Sequence, residues 1–448
     1  MALPPQGDTV AAIATAPGVG AVGIVRLSGP ASYAVGERIF SPNSGRRVTE
    51  LPAGRIFYGR VCDGAELVDE SLLLTFRAPH SYTGEDVLEL QTHGGPAVLR
   101  RVLDLCLRHG ARLAQPGEFT LRAYLSGRLD LVQAEAVLDL VNAQSDSARR
   151  NAALGLASAL SEQLDLIQSD VTRVYGNIQA AFDYPDEGVP EPEFAEPLRR
   201  AVGRIDGLLS TAKAGRIAQR GARLALIGKP NAGKSSLLNA LLGYRRSLVS
   251  DAPGTTRDYL EAPLDILGVP VTAVDTAGIR DTADAVEASG VELAKSIAHN
   301  ADLSLLLLDS SAPLAPEDLA LIQELDPARL LVLTSKTDLG ASWRPEDYGL
   351  TPLRVSATTG KGLDALRERI RERLVGDAGG TELWLVGERQ VSALETVREH
   401  LLRAQAAPDD LAALDLEDAL KTLAQLTGRG DIAEETLEHI FKNFCVGK

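Results

Sequence analysis

The stretch LALIGKPNAGKSS, residues 224–236, decides how the central part of this chain folds. Its apolar start, residues 224–227, predicts a buried strand, and residues 236–242 predict a helix. Between them, residues 228–235 fit the pattern G-x-x-x-x-G-K-[ST]. Because glycine lets backbone N–H groups converge on one concavity, the loop predicts a phosphate site. The alternative, a glycine-rich turn before an ordinary helix, is disfavoured by the flanking strand and helix.

Two side chains of this loop carry the chemistry that a nucleoside triphosphate requires. Lys234 would neutralise the β- and γ-phosphates, and the hydroxyl of Ser235 would bind Mg²⁺. The side-chain oxygen of Asn231, together with main-chain carbonyls of the loop after Ser250, could coordinate a monovalent cation beside the phosphates. The loop therefore predicts a nucleotide site with at least one metal ion.

Three further motifs follow in the order expected of a GTPase. DTAG, residues 275–278, would hold a Mg²⁺-bound water and meet the γ-phosphate. SKTD, residues 335–338, contains Asp338, whose carboxylate can accept two hydrogen bonds from guanine N1–H and the exocyclic amine; adenine lacks this donor pair. SAT, residues 356–358, would place a backbone N–H against guanine O6. The ordered set predicts a Ras-like GTPase domain that selects GTP, built on a parallel sheet with crossover helices.

A polar loop, SDAPGTTRD at residues 250–258, lies between the phosphate loop and DTAG. Its threonines are candidates to complete the Mg²⁺ shell when the γ-phosphate is present, which would make it a switch loop. The alternative is a plain polar loop with a β-turn at Pro253-Gly254. Ile279 stands where many signalling GTPases carry a water-orienting glutamine, so hydrolysis needs another residue to position water and another positive charge.

The residues predicted to bind GTP all lie in these motifs. They are Asn231, Ala232, Gly233, Lys234, Ser235, Ser236, Ser250, Asp251, Ala252, Pro253, Gly254, Thr255, Thr256, Asp275, Thr276, Ala277, Gly278, Ser335, Lys336, Thr337, Asp338, Ser356, Ala357 and Thr358.

The predicted fold class is α/β and all-α multidomain, with four consecutive regions. Residues 1–120 predict a small α/β domain, with strands at 11–16, 20–27 and 71–76 and a helix at 94–110. Residues 121–215 predict long amphipathic helices at 129–142, 148–160 and 162–181, with a proline-rich acidic loop at 183–197. Residues 216–376 would form the GTPase domain, with strands at 224–227, 271–275, 303–308 and 330–333, and residues 377–448 are predicted to be helical again. The sequence permits the two helical regions to pack together with the GTPase domain inserted between them.

Composition limits the function classes. The chain has 46 basic and 61 acidic residues, a net charge of -15, which argues against a surface coated in nucleic acid. No apolar run approaches the roughly 20 residues needed to span a bilayer, and the N-terminus shows no signal-peptide pattern. With only Cys62, Cys106 and Cys445, a disulfide framework is not expected, and the sequence predicts a reducing, cytoplasmic compartment without membrane association.

Four stretches outside the GTPase motifs resemble one family, the MnmE (TrmE) tRNA modification GTPases of bacteria. They lie at residues 8–29, 81–89 and 116–130 and in the ending FCVGK, residues 444–448. The resemblance implies a homodimer acting on tRNA with an FAD-containing MnmG-like flavoprotein in a heterotetramer, the FAD lying on that partner. Together they would add a carboxymethylaminomethyl or aminomethyl group to carbon 5 of the wobble uridine. The one-carbon unit would come from a tetrahydrofolate derivative, in the 5-formyl or 5,10-methylene form, bound by the N-terminal domain.

The resemblance also implies roles for residues at matching positions. The implied folate-binding residues are Arg26, Glu89, Arg128 and Lys448. The implied K⁺ ligands are Asn231, Ser250, Ala252 and Thr255, with Thr256 on Mg²⁺ beside Ser235. The implied catalytic residues are Glu287 and Cys445. Taken alone, Glu287 reads as a solvated carboxylate at a helix start and Cys445 as a small apolar residue.

Two positions depart from the family pattern. Ser335 stands where the family usually has asparagine, and a serine makes fewer tethers to the phosphate loop. Arg128 replaces what can be a lysine, which keeps the charge and changes its geometry.

Two other functions remain open from the sequence. One is a regulatory or ribosome-associated GTPase without modification chemistry, which would have no need of the N-terminal domain and the C-terminal ending. The other is a folate-dependent transferase with a degenerate GTPase domain, against which the intact Lys234, Ser235 and Asp338 argue. Residues 199–223 form a candidate basic face for tRNA, although such a run is more often a solvated helix side.

Overall fold

The computed structural model describes residues 7–143, 145–183, 195–243, 261–275, 296–376 and 383–448. Its chain separates into two compact units. The first holds Met1–Val141, Gly155–Val202 and Ala393–Lys448, and the second holds Asn142–Leu154 and Gly203–Ser392. No helix among the described residues is long and apolar enough to cross a membrane.

A seven-stranded sheet in the order β3-β4-β5-β6-β2-β1-β7 forms the N-terminal part of the first unit. Its strands are β1 Val10–Ile13, β2 Gly20–Ser28, β3 Phe40–Pro42, β4 Arg55–Asp63, β5 Glu66–Phe76, β6 Val87–Gly94 and β7 Arg112–Leu113. The helices here are α1 Ser32–Ile39, α2 Pro96–Arg108 and α3 Glu118–Leu125. All neighbouring strands are antiparallel except β1 and β7. Helices α1 and α2 cover one face of the sheet, where the core forms from residues such as Val25, Leu73 and Leu90.

The predicted α/β character of this region is confirmed, but several elements were missed. The sequence predicted strands at residues 11–16, 20–27 and 71–76 and a helix at 94–110, which correspond to β1, β2, β5 and α2. Strands β4 and β6 and helix α1 were not predicted. Both strands mix apolar and charged residues, because one face of the sheet packs on the core and the other is exposed to solvent. The exposure of residues along Arg55–Asp63 varies accordingly, and such a mixed sequence has no continuous apolar run that would indicate a strand.

Long helices follow β7 and α3. They are α4 Leu131–Asn142, α5 Asp146–Leu156, α6 Ala159–Asp183, α7 Ala195–Ser210 and α8 Ala212–Arg220. The prediction of one helix over residues 148–160 is wrong at its end, because Ser158 adopts a left-handed backbone (φ 71) between α5 and α6. Gln133 Nε2 donates to the Leu156 carbonyl at 3.1 Å and to Ser158 Oγ at 2.9 Å, which satisfies polar groups that the break releases.

The second unit contains a six-stranded sheet in the order β13-β12-β11-β8-β10-β9. Its strands are β8 Ala222–Ile227, β9 Glu261–Ile266, β10 Val269–Asp275, β11 Leu303–Asp309, β12 Leu330–Ser335 and β13 Leu353–Arg354. Helices α9 Lys234–Leu242, α10 Pro316–Glu324 and α11 Leu363–Val375 belong to the same unit. The four predicted strands are confirmed as β8, β10, β11 and β12, but the sheet is mixed, since β9 pairs antiparallel with β10 at the edge.

The chain ends in three helices, α12 Glu388–Ala406, α13 Asp409–Thr427 and α14 Glu434–Lys442. Helix α13 packs against α6, and Arg429 just beyond α13 forms an ion pair with Asp165 of α6 at 2.6 Å. The two helical regions therefore pack together, as the sequence permitted. The finer division at residues 120, 215 and 376 stays a prediction.

Candidate functional site

The phosphate loop lies between β8 and α9, as predicted. Gly228 has a left-handed φ of 144, and a Cβ there would lie 2.6 Å from the Leu307 carbonyl oxygen, so the position requires glycine. Lys234 is buried, and its Nζ donates to the carbonyl oxygens of Gly228 at 2.8 Å and Lys229 at 2.9 Å. These bonds hold the ammonium inside the loop, where it can meet phosphate oxygens.

Two residues of the predicted GTP site have a strained backbone. Among the described residues, the non-glycine residues with positive φ are Ser158, Asn231, Leu267 and Lys336. Asn231 and Lys336 belong to two different GTP motifs, and a left-handed backbone there costs free energy that surrounding contacts must offset. Asn231 is an exposed residue of the phosphate loop.

Ser335, the last residue of β12, connects the guanine motif to the phosphate loop. Its Oγ lies 2.7 Å from the Ala232 carbonyl oxygen and 3.2 Å from that of Leu308. The hydroxyl has one proton for both acceptors, whereas an asparagine amide would have two. The serine at this position thus keeps the tether to the phosphate loop with fewer donors.

The residues predicted to read the base come together from two loops. Ser356 Oγ, which follows β13, donates to Asp338 Oδ1 at 2.7 Å. Thr337 Oγ1 donates to the Val355 carbonyl oxygen at 3.2 Å. Ser356 is fully buried while Asp338 is exposed, so the buried hydroxyl orients an accessible carboxylate. This is the arrangement that guanine recognition needs.

Several predicted residues lie outside the described part of the chain. They are Ser250, Asp251, Ala252, Pro253, Gly254, Thr255, Thr256, Thr276, Ala277, Gly278 and Glu287. Of the DTAG motif, Asp275 is described as the last residue of β10. The parallel pairing of β8, β10, β11 and β12 brings the carboxyl ends of these strands to one edge, where the phosphate and guanine motifs meet.

A second candidate site forms in the first unit, where the C-terminal residues dock on the N-terminal sheet. Arg26 Nε donates to Glu89 Oε1 at 2.7 Å, and Arg26 Nη1 donates to the Gly447 carbonyl oxygen at 3.1 Å. The backbone N–H of Phe119 donates to the Lys448 carbonyl oxygen at 3.2 Å. Gly447 has a φ of 98, and a Cβ there would lie 2.5 Å from the Ile13 carbonyl oxygen, so only glycine fits.

Two aromatic rings that the sequence analysis did not single out support these cations. The guanidinium carbon of Arg26 lies 5.7 Å from the ring centroid of Tyr82 and 5.5 Å from that of Phe119. Arg128 lies 5.2 Å from the same Tyr82 ring, and its Nη1 donates to the Tyr82 carbonyl oxygen at 3.3 Å. Tyr82 thus holds two of the predicted folate-binding arginines in place. Both rings fall within stretches that carried the family resemblance.

Cys445 and Lys448 occupy different surroundings in the docked ending. Cys445 is exposed and its thiol is free, while its carbonyl oxygen accepts from the N–H groups of Gly117 at 3.4 Å and Lys448 at 3.3 Å. Lys448 is partly exposed. The structure therefore brings Arg26, Glu89 and the ending together.

A buried charge network next to this site stabilises the domain. Arg122, with 6 % of its side chain exposed, contacts Asp8, Glu85 and the fully buried Glu118. Arg112 also pairs with Asp8 and Glu118. Burial raises the pKa of Glu118, but hydrogen bonds from Arg112, from the Gln115 N–H and from Arg122 outweigh it and hold that pKa below its usual value. Burial raises the pKa of Asp8 as well, and Arg122 and Arg112 again lower it below the usual value.

The lowered pKa of Asp8 predicts a pH-dependent stability. A carboxyl with a lower pKa in the folded state contributes its full stabilisation above its unfolded pKa of about 3.9 and loses it as the pH falls through the folded pKa. We expect Asp8→Asn to lower the free energy of unfolding at pH 7 and to differ progressively less from the wild type below about pH 4. Urea unfolding followed by circular dichroism measures this, and a difference independent of pH would contradict it.

Comparisons with known proteins find matches over most of the chain. The family described as "GTP-binding protein TrmE N-terminus" matches residues 9–128, and the family described as "MnmE helical domain" matches residues 131–445. Among solved structures, the G domain of the T. maritima FeoB iron transporter is 27% identical over 34% of this chain and 98% of its own, with a TM-score of 0.26. A TM-score this low adds nothing to the fold argument.

The similar curated proteins share one name. The tRNA modification GTPase MnmE of Thermus thermophilus is 50% identical over 444 residues, which is 98% of this chain and 99% of that protein. The tRNA modification GTPase MnmE of Symbiobacterium thermophilum is 42% identical over 456 residues, again 98% of this chain and 99% of that protein. With identities this high over nearly the full length of both chains, and with a family model that matches residues 131–445, the chain belongs to the MnmE family of tRNA modification GTPases.

Proposed function

We propose that the protein uses GTP hydrolysis to drive modification of carbon 5 of the tRNA wobble uridine. It would act with an MnmG-like flavoprotein that carries FAD, in the cytoplasm. The one-carbon unit would come from a tetrahydrofolate derivative, in the 5-formyl or 5,10-methylene form. The observation that carries the proposal is the docking of residues 446–448 beside Arg26 and Glu89, since a GTPase acting only as a switch has no need of that site.

The contacts of the proposed folate site suggest that its four residues have different roles in binding. Because Arg26 is already paired with Glu89, its main role would be to orient that carboxylate. Glu89 would then accept hydrogen bonds from the pterin amine and ring N–H. Arg128 is exposed and Lys448 partly so, which leaves these two cations for the carboxylates of the glutamate tail.

The uncovered face of the N-terminal sheet supports the proposed homodimer. Tyr58, Leu72, Gln91 and Ile24 lie side by side across β4, β5, β6 and β2 in the strand register. Tyr58 is 52% exposed and Leu72 37% exposed, and Ile56 beside them is 64% exposed. The same face carries Arg26 and Glu89 at the next register position of β2 and β6. A second copy covering this apolar face would also close over the folate site.

The metal ions proposed for the GTP site use oxygen ligands. Mg²⁺ would bind Ser235 and Thr256, and K⁺ would bind Asn231, Ser250, Ala252 and Thr255. Oxygen atoms of hydroxyl, amide and carbonyl groups suit both cations. Glu287 would position the attacking water, and Cys445, exposed beside the folate site, would take part in the uridine chemistry.

Binding of 5-formyltetrahydrofolate tests the proposal. Removing residues 445–448 should weaken folate binding and leave GTP binding intact, because the ending contacts the first unit at Arg26, Pro116 and Phe119. Isothermal titration with each ligand measures both affinities. Glu89→Gln should lose folate affinity in the same way, since an amide replaces one acceptor by a donor.

A matched control removes a charge of the same sign elsewhere in the domain. Glu66→Gln breaks the exposed pair with Arg101 of α2, on the side of the sheet that the helices cover, and should leave folate binding unchanged. Equal loss of both ligands, or of neither, in the truncated protein would count against the folate site. Mass spectrometry of tRNA wobble uridines then tests the reaction itself. Unmodified uridine is expected in a strain that lacks the gene and in a strain that carries only the Glu89→Gln variant.

A further inference from the structure

The turn Asp309-Ser310-Ser311 begins at the last residue of β11 and lies outside the predicted GTP motifs. It contacts the guanine-reading loop, which is the loop that follows β12 and carries Asp338. Ser310 Oγ lies 3.0 Å from the Lys336 carbonyl oxygen and 2.9 Å from that of Gly340. Trp343 Nε1 donates to the Asp309 carbonyl oxygen at 2.9 Å. The turn therefore contacts loop residues that precede Asp338 in the sequence and loop residues that follow it.

The carboxylate of Asp309 is engaged through both oxygens. Its Oδ1 accepts from the N–H of Ser311 at 2.9 Å and from Ser311 Oγ at 2.6 Å, and its Oδ2 lies 2.7 Å from Lys336 Nζ. Side-chain exposure is 20% for Asp309 and 32% for Lys336. Burial raises the pKa of Asp309, but Lys336 and Ser311 outweigh it and hold that pKa below its usual value. The carboxylate is therefore ionised at neutral pH and pairs with the ammonium.

Lys336 stands between two parts of the nucleotide site. Ser335 before it contacts the phosphate loop, and Asp338 two residues later reads the base. Its backbone is left-handed, with a φ of 54, a strained state for a residue with a side chain. The bond from Ser310 to its carbonyl and the ion pair with Asp309 hold it in that state. Strain maintained by such contacts points to a functional requirement on where the side chain lies.

We propose that Asp309 is a positioning residue for guanine nucleotides, which fixes Lys336 and through it the loop that carries Asp338. A loop that becomes ordered only when the ligand binds loses conformational entropy at that moment. Holding the loop beforehand through the pair of Asp309 and Lys336 reduces that loss and raises affinity, as preorganisation does in general. The inference needs only the GTP site and is independent of the uridine chemistry.

A double-mutant cycle on GDP affinity tests the inference. The variants are Asp309→Asn, Lys336→Met and the double variant, with the Kd measured by titration of a fluorescent GDP analogue. Asp309→Asn should weaken binding about tenfold, and the double variant should bind no more than about twofold more weakly than Lys336→Met alone. Glu372→Gln is the control, because it breaks an exposed pair of the same 2.7 Å length with Arg369 and should leave the Kd unchanged.

Losses that simply multiply in the double variant would overturn the inference, because Asp309 would then act independently of Lys336. An Asp309→Asn protein that binds GDP with the wild-type Kd but has a lower melting temperature would also overturn the inference. In that case Asp309 would stabilise the fold without affecting nucleotide binding. If Asp309→Asn does not fold, Asp309→Glu keeps the charge and displaces the ammonium by one methylene. That variant should bind GDP several-fold more weakly at an unchanged melting temperature, and wild-type affinity there would refute the proposal.

Discussion

GTP hydrolysis by this protein is expected to be faster in KCl than in NaCl at the same ionic strength, by a factor that approaches the effect of an arginine finger, roughly 10³–10⁵. The reason is the missing positive charge, since Ile279 follows DTAG and no arginine lies in the phosphate loop. A cation bound by the amide oxygen of Asn231, an exposed residue, would supply that charge beside the phosphates. Na⁺ is smaller and would fit a ring of oxygens sized for K⁺ less well.

Two variants separate the cation from the water-positioning residue. Asn231→Ala should lose the response to K⁺, because its amide oxygen is the side-chain ligand within the phosphate loop. Glu287→Ala should hydrolyse slowly in both salts and still bind GTP, because it would position water rather than the nucleotide. Equal wild-type rates in the two salts would rule out the cation mechanism and leave the GTPase assignment intact.

The remaining K⁺ ligands belong to residues 250–256, so this loop must close over the nucleotide. Ordering a loop costs conformational entropy, and a second GTPase domain meeting the first face to face would offset that cost. K⁺ should therefore promote association of the GTPase domains when GDP and fluoroaluminate mimic the transition state. Fluorescence energy transfer between labels on the two GTPase domains of the proposed dimer, recorded in KCl and in NaCl, measures this, and identical transfer in the two salts would contradict the closure step.

Asp338→Asn is expected to relax the preference for GTP over ATP by about 2–3 kcal/mol, the free energy of losing a charged hydrogen-bond acceptor. This corresponds to roughly a 30- to 150-fold change in the ratio of the two affinities. The structure supplies the geometry, since the buried Ser356 hydroxyl orients the exposed Asp338 carboxylate at 2.7 Å. Competition of GTP and ATP against a fluorescent nucleotide measures the ratio.

Xanthosine triphosphate provides a control with the opposite sign. Xanthine carries a carbonyl where guanine carries its amine, so the carboxylate of Asp338 repels it and an asparagine amide can donate to it. Asp338→Asn should therefore bind xanthosine triphosphate better than the wild type while it binds GTP more weakly. Unchanged selectivity among these nucleotides would show that Asp338 does not read the base.

Local sequence was sufficient to predict the GTP site because its chemistry is local. The phosphate loop needs glycines, a lysine and a serine at fixed spacing between a strand and a helix, and the structure confirms the strand β8 and the helix α9 around it. Strands β11 and β12 are buried on both faces and read as continuous apolar runs. The predicted selection of guanine rests on one carboxylate, Asp338, in a recognisable motif.

The contacts that orient these groups join residues far apart in the chain, and no local pattern reveals them. Arg26 meets Gly447 across 421 positions, and Ser335 meets the phosphate loop across 103. Asp309 reaches Lys336 only because β11 and β12 pair in a register that sets Asp309 opposite Ser335. The ring of Tyr82 lies beside the guanidinium groups of both Arg26 and Arg128, which are far apart in the sequence. Sequence alone therefore determined which groups carry charge and predicted which of them would bind phosphate or base. Strand register and the docking of the chain's last residues decided which partners hold those groups in place, because these contacts join residues that only the tertiary structure brings together.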